Sequence, residues 1–395
     1  MIIALVALAA ADLVVGVSND AVNFLNSALG SKAISFRTIM IVASLGIAFG
    51  AIFSSGMMEV ARKGIFVPGE FYFDEIMIIF MAVMVTDILL LDFFNTLGMP
   101  TSTTVSIVFE LLGAAVAMGL IKILTSEDQT LLDLSSYINT TQASLIISGI
   151  FLSIIFAFSI GAFVQFLSRI FMTFNFDQKP VIYSALFSGF ALTSITFFIF
   201  MKGLQGTSIY GQVQNVVETN QMYIIAGSFL VWTTLSYALA SFFKFNIYKL
   251  IISVGTFALA LAFAGNDLVN FIGVPMAAYN SYQAWNDSGL AADALNMSVL
   301  AGEVPTPPLF LILAGLIMVV TLWFSTKARK VTQTEVNLAR QSEGHERFEP
   351  NGLSRMIVRA SLGALRTTNL IIPDRVKKGV EKKFSKAVIK MPRKK

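Results

Sequence analysis

Gly16-Val17-Ser18-Asn19-Asp20-Ala21-Val22-Asn23 has an echo far along the chain, Ala264-Gly265-Asn266-Asp267-Leu268-Val269-Asn270. Each copy sets Asn-Asp, and a second Asn three residues after the Asp, inside an otherwise apolar run. On a helix that spacing puts the Asp and the second Asn on one face. The glycine just upstream lets the backbone break or approach another segment closely. An ionised carboxylate at membrane depth costs roughly 2.5–3.5 kcal/mol on insertion scales, so it needs a partner or a water-filled cavity. Two such costs in one local arrangement point to a paired ion or substrate site. A single copy also reads as a hydrogen-bonded structural kink; the repetition weakens that reading.

Composition around the motifs points to lipid. The chain has 395 residues, 55% hydrophobic and 13% charged, where a soluble domain carries roughly 25% charged residues. Mean hydropathy is +0.74, and several apolar runs approach the roughly 20 residues that span a bilayer. The absence of cysteine excludes disulfides, thiolate metal sites and cysteine nucleophiles. The single histidine, His345, sits in a polar tail, so no imidazole is available within the membrane. With no nucleotide-binding motif either, the chain reads as neither an enzyme nor an ATP-driven pump, and no cofactor is implied.

The net charge of +4 conceals an asymmetry, because Lys and Arg concentrate in residues 327–395. A basic tail directly after an apolar segment reads as cytoplasmic and drawn to anionic lipid, not to nucleic acid. Within it Leu353, Ile357, Leu362 and Leu365 lie among arginines, which suits a helix on the membrane surface or a linker. The stretches 125–142, 203–221 and 276–307 hold no Lys or Arg, whereas Arg169 with Lys179 and Lys244 with Lys249 flank the loops between them. The positive-inside rule puts the first three outside and the tail inside, although Lys202 and the Arg62-Lys63 pair fit less well. The two Asn-Asp segments then run in opposite directions, the signature of inverted repeats with a site at their interface.

Gly98-Met99-Pro100-Thr101-Ser102-Thr103-Thr104 interrupts two apolar runs, 76–97 and 105–124. Pro stops the preceding helix, and hydroxylated residues cap the free amides of the next. Between apolar runs this predicts a re-entrant hairpin, which is tolerated where it lines protein or water. Taken alone, the Ser-Thr-Thr run is most simply a helix cap. Asp87 and Asp92 fall on different sides of one helix, so one of them faces a polar cavity or an interface. Glu110 reads as a buried ion partner or a snorkelling residue, and Lys122, near a helix end, as snorkelling.

Taken together, these stretches resemble the inorganic phosphate transporter (PiT) family of cation-coupled phosphate symporters. Its repeated Gly-Ala-Asn-Asp-x-x-Asn-Ala is matched by 16–23 and more closely by 264–270. Its Pro-x-Ser-Thr-Thr-His is matched from Pro100 to Thr104, with Val105 where the histidine usually sits. Glu59-Val60-Ala61-Arg62-Lys63-Gly64 is similar to the family's Glu-Thr-x-Arg-Lys-Gly segment. The family's second Ser-Thr-Thr copy is missing and the first helix starts late, so the chain is expected to be incomplete at its C-terminal end.

The expected fold is an all-α integral membrane protein, an inverted-repeat secondary transporter with broken helices and a re-entrant hairpin. Residues 1–124 form the first transport repeat and 125–243 intervening membrane helices. Residues 244–326 begin the second inverted repeat, and 327–395 form a basic cytoplasmic tail or linker. The expected function is import of inorganic phosphate with a cation by alternating access, in the cell's inner or plasma membrane. Ser102, Thr103 and Thr104 would hold phosphate through hydroxyls and helix amides, which the resemblance supports. Asp20 and Asp267 repel an anion, so they are assigned to cations, with amide oxygens from Asn19, Asn23, Asn266 and Asn270. Glu59 is an accessory candidate, equally well read as a loop ion pair with Arg62 or Lys63. Hard oxygen ligands and the lost histidine favour Na⁺ over H⁺. Sulfate transport, or a channel or receptor-like protein with structural Asn-Asp motifs, are the alternatives. A homodimer agrees with the family.

Overall fold

A computed structural model gives the architecture. The structure describes residues 1–54, 57–59, 64–174, 176–203, 215–338 and 349–385; within these, the side chains of 57–59, 177, 202–203, 266, 267, 269, 303–305 and 368–371 are outside the description.

Among the described residues eight helices are long and apolar enough to cross a membrane. They are α1 (Ile2–Ser31), α2 (Phe36–Phe53), α3 (Phe73–Leu97), α4 (Thr103–Thr125), α5 (Thr140–Met172), α6 (Val181–Phe198), α7 (Gln221–Phe242) and α8 (Ile247–Ser288). A ninth unit is a pair, α9 (Pro308–Phe324) and α10 (Thr326–Leu338), bent by 68° at Ser325. The tail adds α11 (Gly352–Ile371) and α12 (Asp374–Phe384).

Local chemistry sets the helix boundaries. Ser35 accepts from the Thr38 amide to start α2, Asn139 from Gln142 to start α5, and Asn246 from Tyr248 to start α8. Gly98 ends α3 and Gly289 ends α8, both with φ 65° in the left-handed region that glycine enters without penalty. The predicted hairpin is α3–α4, with the turn 98–102 between arms that are each of spanning length.

The helices are broken elsewhere than the motif glycines. Both Asn-Asp motifs lie inside continuous helices, α1 and α8, and the sharp bend falls at Ser325. Glycines instead serve close packing. Gly46 and Gly50, one turn apart on α2, let α8 approach so closely that an added Cβ would lie 2.6 Å from the Phe257 carbonyl oxygen and 2.4 Å from that of Leu261. A Cβ on Gly16 would meet the Phe271 ring.

The packing is crossed between the two halves. α1 packs on α8, α2 lies along α8, and α9 and α10 lie along α1. Ala43, Ile47, Leu268, Phe271, Leu311 and Met318 form the buried apolar cluster where these helices meet. A second cluster, with Phe66, Phe71, Phe80 and Tyr137, seals α3 and α4 against the loops at one end. There a short antiparallel pair, β1 (Met57–Glu59) and β2 (Glu303–Pro305), joins the loop after α2 to the loop before α9. Bridges Phe66↔Ile138 and Tyr72↔Asn296 gather three loops at that same end.

Lys122 does not snorkel. It is mostly buried against the Glu75 carboxylate at 2.8 Å and donates to the Glu70 carbonyl. These two partners, one of them charged, hold the ammonium within the protein.

Candidate functional site

Asn19 and Asp20 project from the middle of α1 towards the α3–α4 turn. Asn19 is fully buried and acts as a staple: its Nδ2 donates to Asn95 Oδ1 at 2.8 Å and to the Met99 carbonyl, while its Oδ1 accepts from the Thr101 amide at 2.8 Å. Asn95 in turn donates to the Val15 carbonyl at 2.7 Å. One side chain from each helix thereby satisfies the turn's polar groups, which would otherwise be costly to bury. The result is a fixed position for the start of α4.

Asp20 is also buried, and its Oδ2 accepts from the Thr103 hydroxyl at 2.8 Å. From the opposite side Asn270 Nδ2, on α8, donates to Thr104 Oγ1 at 3.1 Å and to Thr103 Oγ1 at 3.4 Å. Thr103 therefore connects the two motifs: it donates to an Asp of one and accepts from an Asn of the other. Ser102 caps α4 by accepting from the Val105 amide at 3.3 Å, and lines, with Thr101, Ser106 and Glu110, the polar part of a cavity of about 730 Å³ whose wall is otherwise mostly apolar, with Val83, Phe109, Ile147 and Phe151. The first-turn amides of α4 have no carbonyl one turn back to receive them.

The structure brings together Asn19, Asp20, Ser102, Thr103, Thr104 and Asn270. Asn23 is exposed, and no hydrogen bond among the described residues joins it to this group. The side chains of Asn266 and Asp267 lie outside the described residues, although α8 carries both within a continuous helix on the segment that holds Asn270. Glu59 is in β1, opposite Glu303, and its side chain is likewise outside the description.

Sequence reasoning missed Asn95 and Ser325. Ser325, at the bend between α9 and α10, accepts from the Ala328 amide and shares a 2.7 Å hydrogen bond with Ser18 of the first motif. The signal was present, since Ser-Thr ahead of Lys-Ala-Arg-Lys is a helix start. Asp92 pairs with Lys327 of α10 at 2.5 Å, so this member of the Asp87/Asp92 pair faces an interface between helices.

Comparison with known proteins identifies a family and a fold. The phosphate transporter family matches residues 16–335, a span that includes both motifs, the α3–α4 turn and the bend at Ser325. "Putative phosphate permease PH0640" of Pyrococcus horikoshii is 25% identical over 306 residues, 76% of this chain and 68% of its own length. A solved structure titled "The sodium-dependent phosphate transporter" superposes with a TM-score of 0.57 at 18% identity, over 86% of this chain and 82% of its own, which shows a shared fold. The chain belongs to the phosphate transporter family.

Proposed function

We propose that this chain is a secondary active transporter that imports inorganic phosphate with a cation, Na⁺ in preference to H⁺, by alternating access. One observation carries the reading. Thr103 links Asp20 of the first motif to Asn270 of the second, at the N-terminus of α4 and beside a cavity.

Phosphate needs donors, and the hydroxyls of Ser102 and Thr104 with the first-turn amides of α4 supply them without Lys or Arg. Asp20 repels the anion, so its use is to hold a cation, with Asp267 as its counterpart on α8. In the observed arrangement Asp20 occupies the Thr103 hydroxyl. A cation at Asp20 competes for that carboxylate and releases the hydroxyl towards a phosphate oxygen. Coupling follows, because each ion then improves the site for the other. Na⁺ suits hard oxygen ligands, and the solved structure sharing this fold is titled as sodium-dependent.

In this reading 1–124 and 244–326 are the two transport repeats, and the crossed packing of α2 on α8 and of α9–α10 on α1 supports it. The basic tail faces the cytoplasm.

The test is labelled phosphate uptake into proteoliposomes with and without an inward Na⁺ gradient. Wild type is expected to take up phosphate with Na⁺. Asp20→Asn should lower uptake about tenfold or more, a loss of roughly 1.4 kcal/mol or greater. Uptake of sulfate but not phosphate, or full activity in Asp20→Asn, overturns the assignment.

A further inference from the structure

At the C-terminal end of α5 the chain reverses into α6, and the tail helix α12 packs against that same end of α5. Arg169 of α5 pins the tail there. Its guanidinium lies 4.5 Å from the centroid of the Phe384 ring, and that ring packs on Phe166 at 5.6 Å. The contact brings Lys383 of α12 and Lys179 of the α5–α6 turn to one cavity of about 480 Å³, which Thr173 and Tyr183 also line.

Lys179 is partly buried; its ammonium donates to the Phe171 carbonyl and sits 5.0 Å from the centroid of the Tyr183 ring. A carbonyl and a π face hold an ammonium in place without cancelling its charge. Among the described residues no carboxylate pairs with Lys179, Lys383 or Arg169; the Asp177 side chain is outside the description. Two ammonium groups facing one cavity repel each other, so an anion between them is favoured.

The apolar wall identifies what carries that anion. Leu167 and Phe171 of α5 line both this cavity and an apolar groove of about 190 Å³, which continues along α6 over Leu186, Phe187 and Phe190. At the helical rise, Phe190 lies roughly 14 Å along α6 from Val181. That depth is close to half of the hydrocarbon core, roughly 15 Å. Of α5 only Ala143 and Met172 are buried, so the helix forming one side of the groove lies in lipid and not in a protein core. A free phosphate would use the ammonium groups alone; a phospholipid uses the groove as well.

We propose that this cavity and groove bind one anionic phospholipid, with its headgroup phosphate between Lys179 and Lys383 and one acyl chain along the groove. The lipid then bridges the tail to the α5–α6 turn, because one ammonium comes from each. This site shares no residue with the Asn-Asp site, and it rests only on the chain's being embedded in a membrane. The other cations of α12, Lys378 among them, attract any anionic surface, so the test must separate them from the two cavity lysines.

Native mass spectrometry of the full chain, purified in detergent and titrated with palmitoyl-oleoyl phosphatidylglycerol, reads bound lipid directly. Wild type is expected to bind the first phosphatidylglycerol about tenfold more tightly than phosphatidylcholine with the same chains. Lys179→Gln and Lys383→Gln should each weaken that first binding about fivefold. Lys378→Gln, on the same tail helix but outside the cavity lining, should leave it unchanged. Lys383→Gln lies outside the membrane-spanning helices and keeps the test usable if Lys179→Gln fails to fold. Equal binding of the two lipids, or an equal loss in Lys378→Gln, overturns the proposal in favour of unspecific adsorption. Displacement of the lipid by millimolar inorganic phosphate also overturns it, because the cavity then serves a free anion.

Discussion

Thr103 is where one atom does two jobs, since its Oγ1 donates to Asp20 and accepts from Asn270. Thr103→Val keeps the shape and removes both bonds, leaving a buried carboxylate oxygen without its donor at a cost of about 1–3 kcal/mol. The expected outcome is a lower melting temperature in detergent and a raised KM for phosphate, with Thr103→Ser restoring both. A Thr103→Val transporter with unchanged KM would remove the hydroxyl from the coupling scheme. The grouping of Asp20 with the Ser-Thr-Thr run was legible in the sequence as a pair of polar stretches, because charge and hydroxyl clusters are expensive in lipid and stand out. Asn95 was not legible. A lone amide near the end of an apolar run has no signature of its own, and its value comes from Asn19, 76 residues away, which only the fold brings within 2.8 Å.

The helices themselves were mostly legible, since hydropathy reports what lipid requires of a segment. α8 shows the limit. Its apolar run ends near residue 275, yet the helix continues to Ser288 through Tyr279, Tyr282, Gln283 and Trp285. Hydropathy marks where lipid ends, whereas helix propagation depends on backbone hydrogen bonding that polar residues keep equally well. Contact between helices was also hidden, because a glycine in an apolar run looks the same whether it faces lipid or a backbone. Gly50 faces a backbone, so Gly50→Val drives its side chain into the Leu261 carbonyl and should cost about 1–3 kcal/mol through overpacking. Gly149, on α5, has nothing within 4 Å of an added Cβ, so Gly149→Val should leave the melting temperature nearly unchanged. Equal effects at the two positions would contradict the close α2–α8 approach.

At the scale of the whole molecule the two ends differ in charge. One end gathers the loops 64–72, 126–139 and 289–307, tied together by the Phe66↔Ile138 and Tyr72↔Asn296 bridges; these stretches contain no Lys or Arg, although Arg62 and Lys63 precede the first of them and Lys122 bonds the Glu70 carbonyl at the same end. At the other end Val336 of α10 packs near Gly30 of α1, among Lys32, Arg37, Arg329 and Lys330. The positive-inside rule predicts from this that α1 runs inward and α8 outward. The chain has no cysteine of its own, so a single introduced thiol reports its side without background. Glu127→Cys and Asp287→Cys are expected to react with a membrane-impermeant maleimide in intact cells. Ser361→Cys, on the amphipathic tail helix α11, should react only after permeabilisation. Labelling of Ser361→Cys in intact cells, with protection of the other two, would invert the proposed orientation.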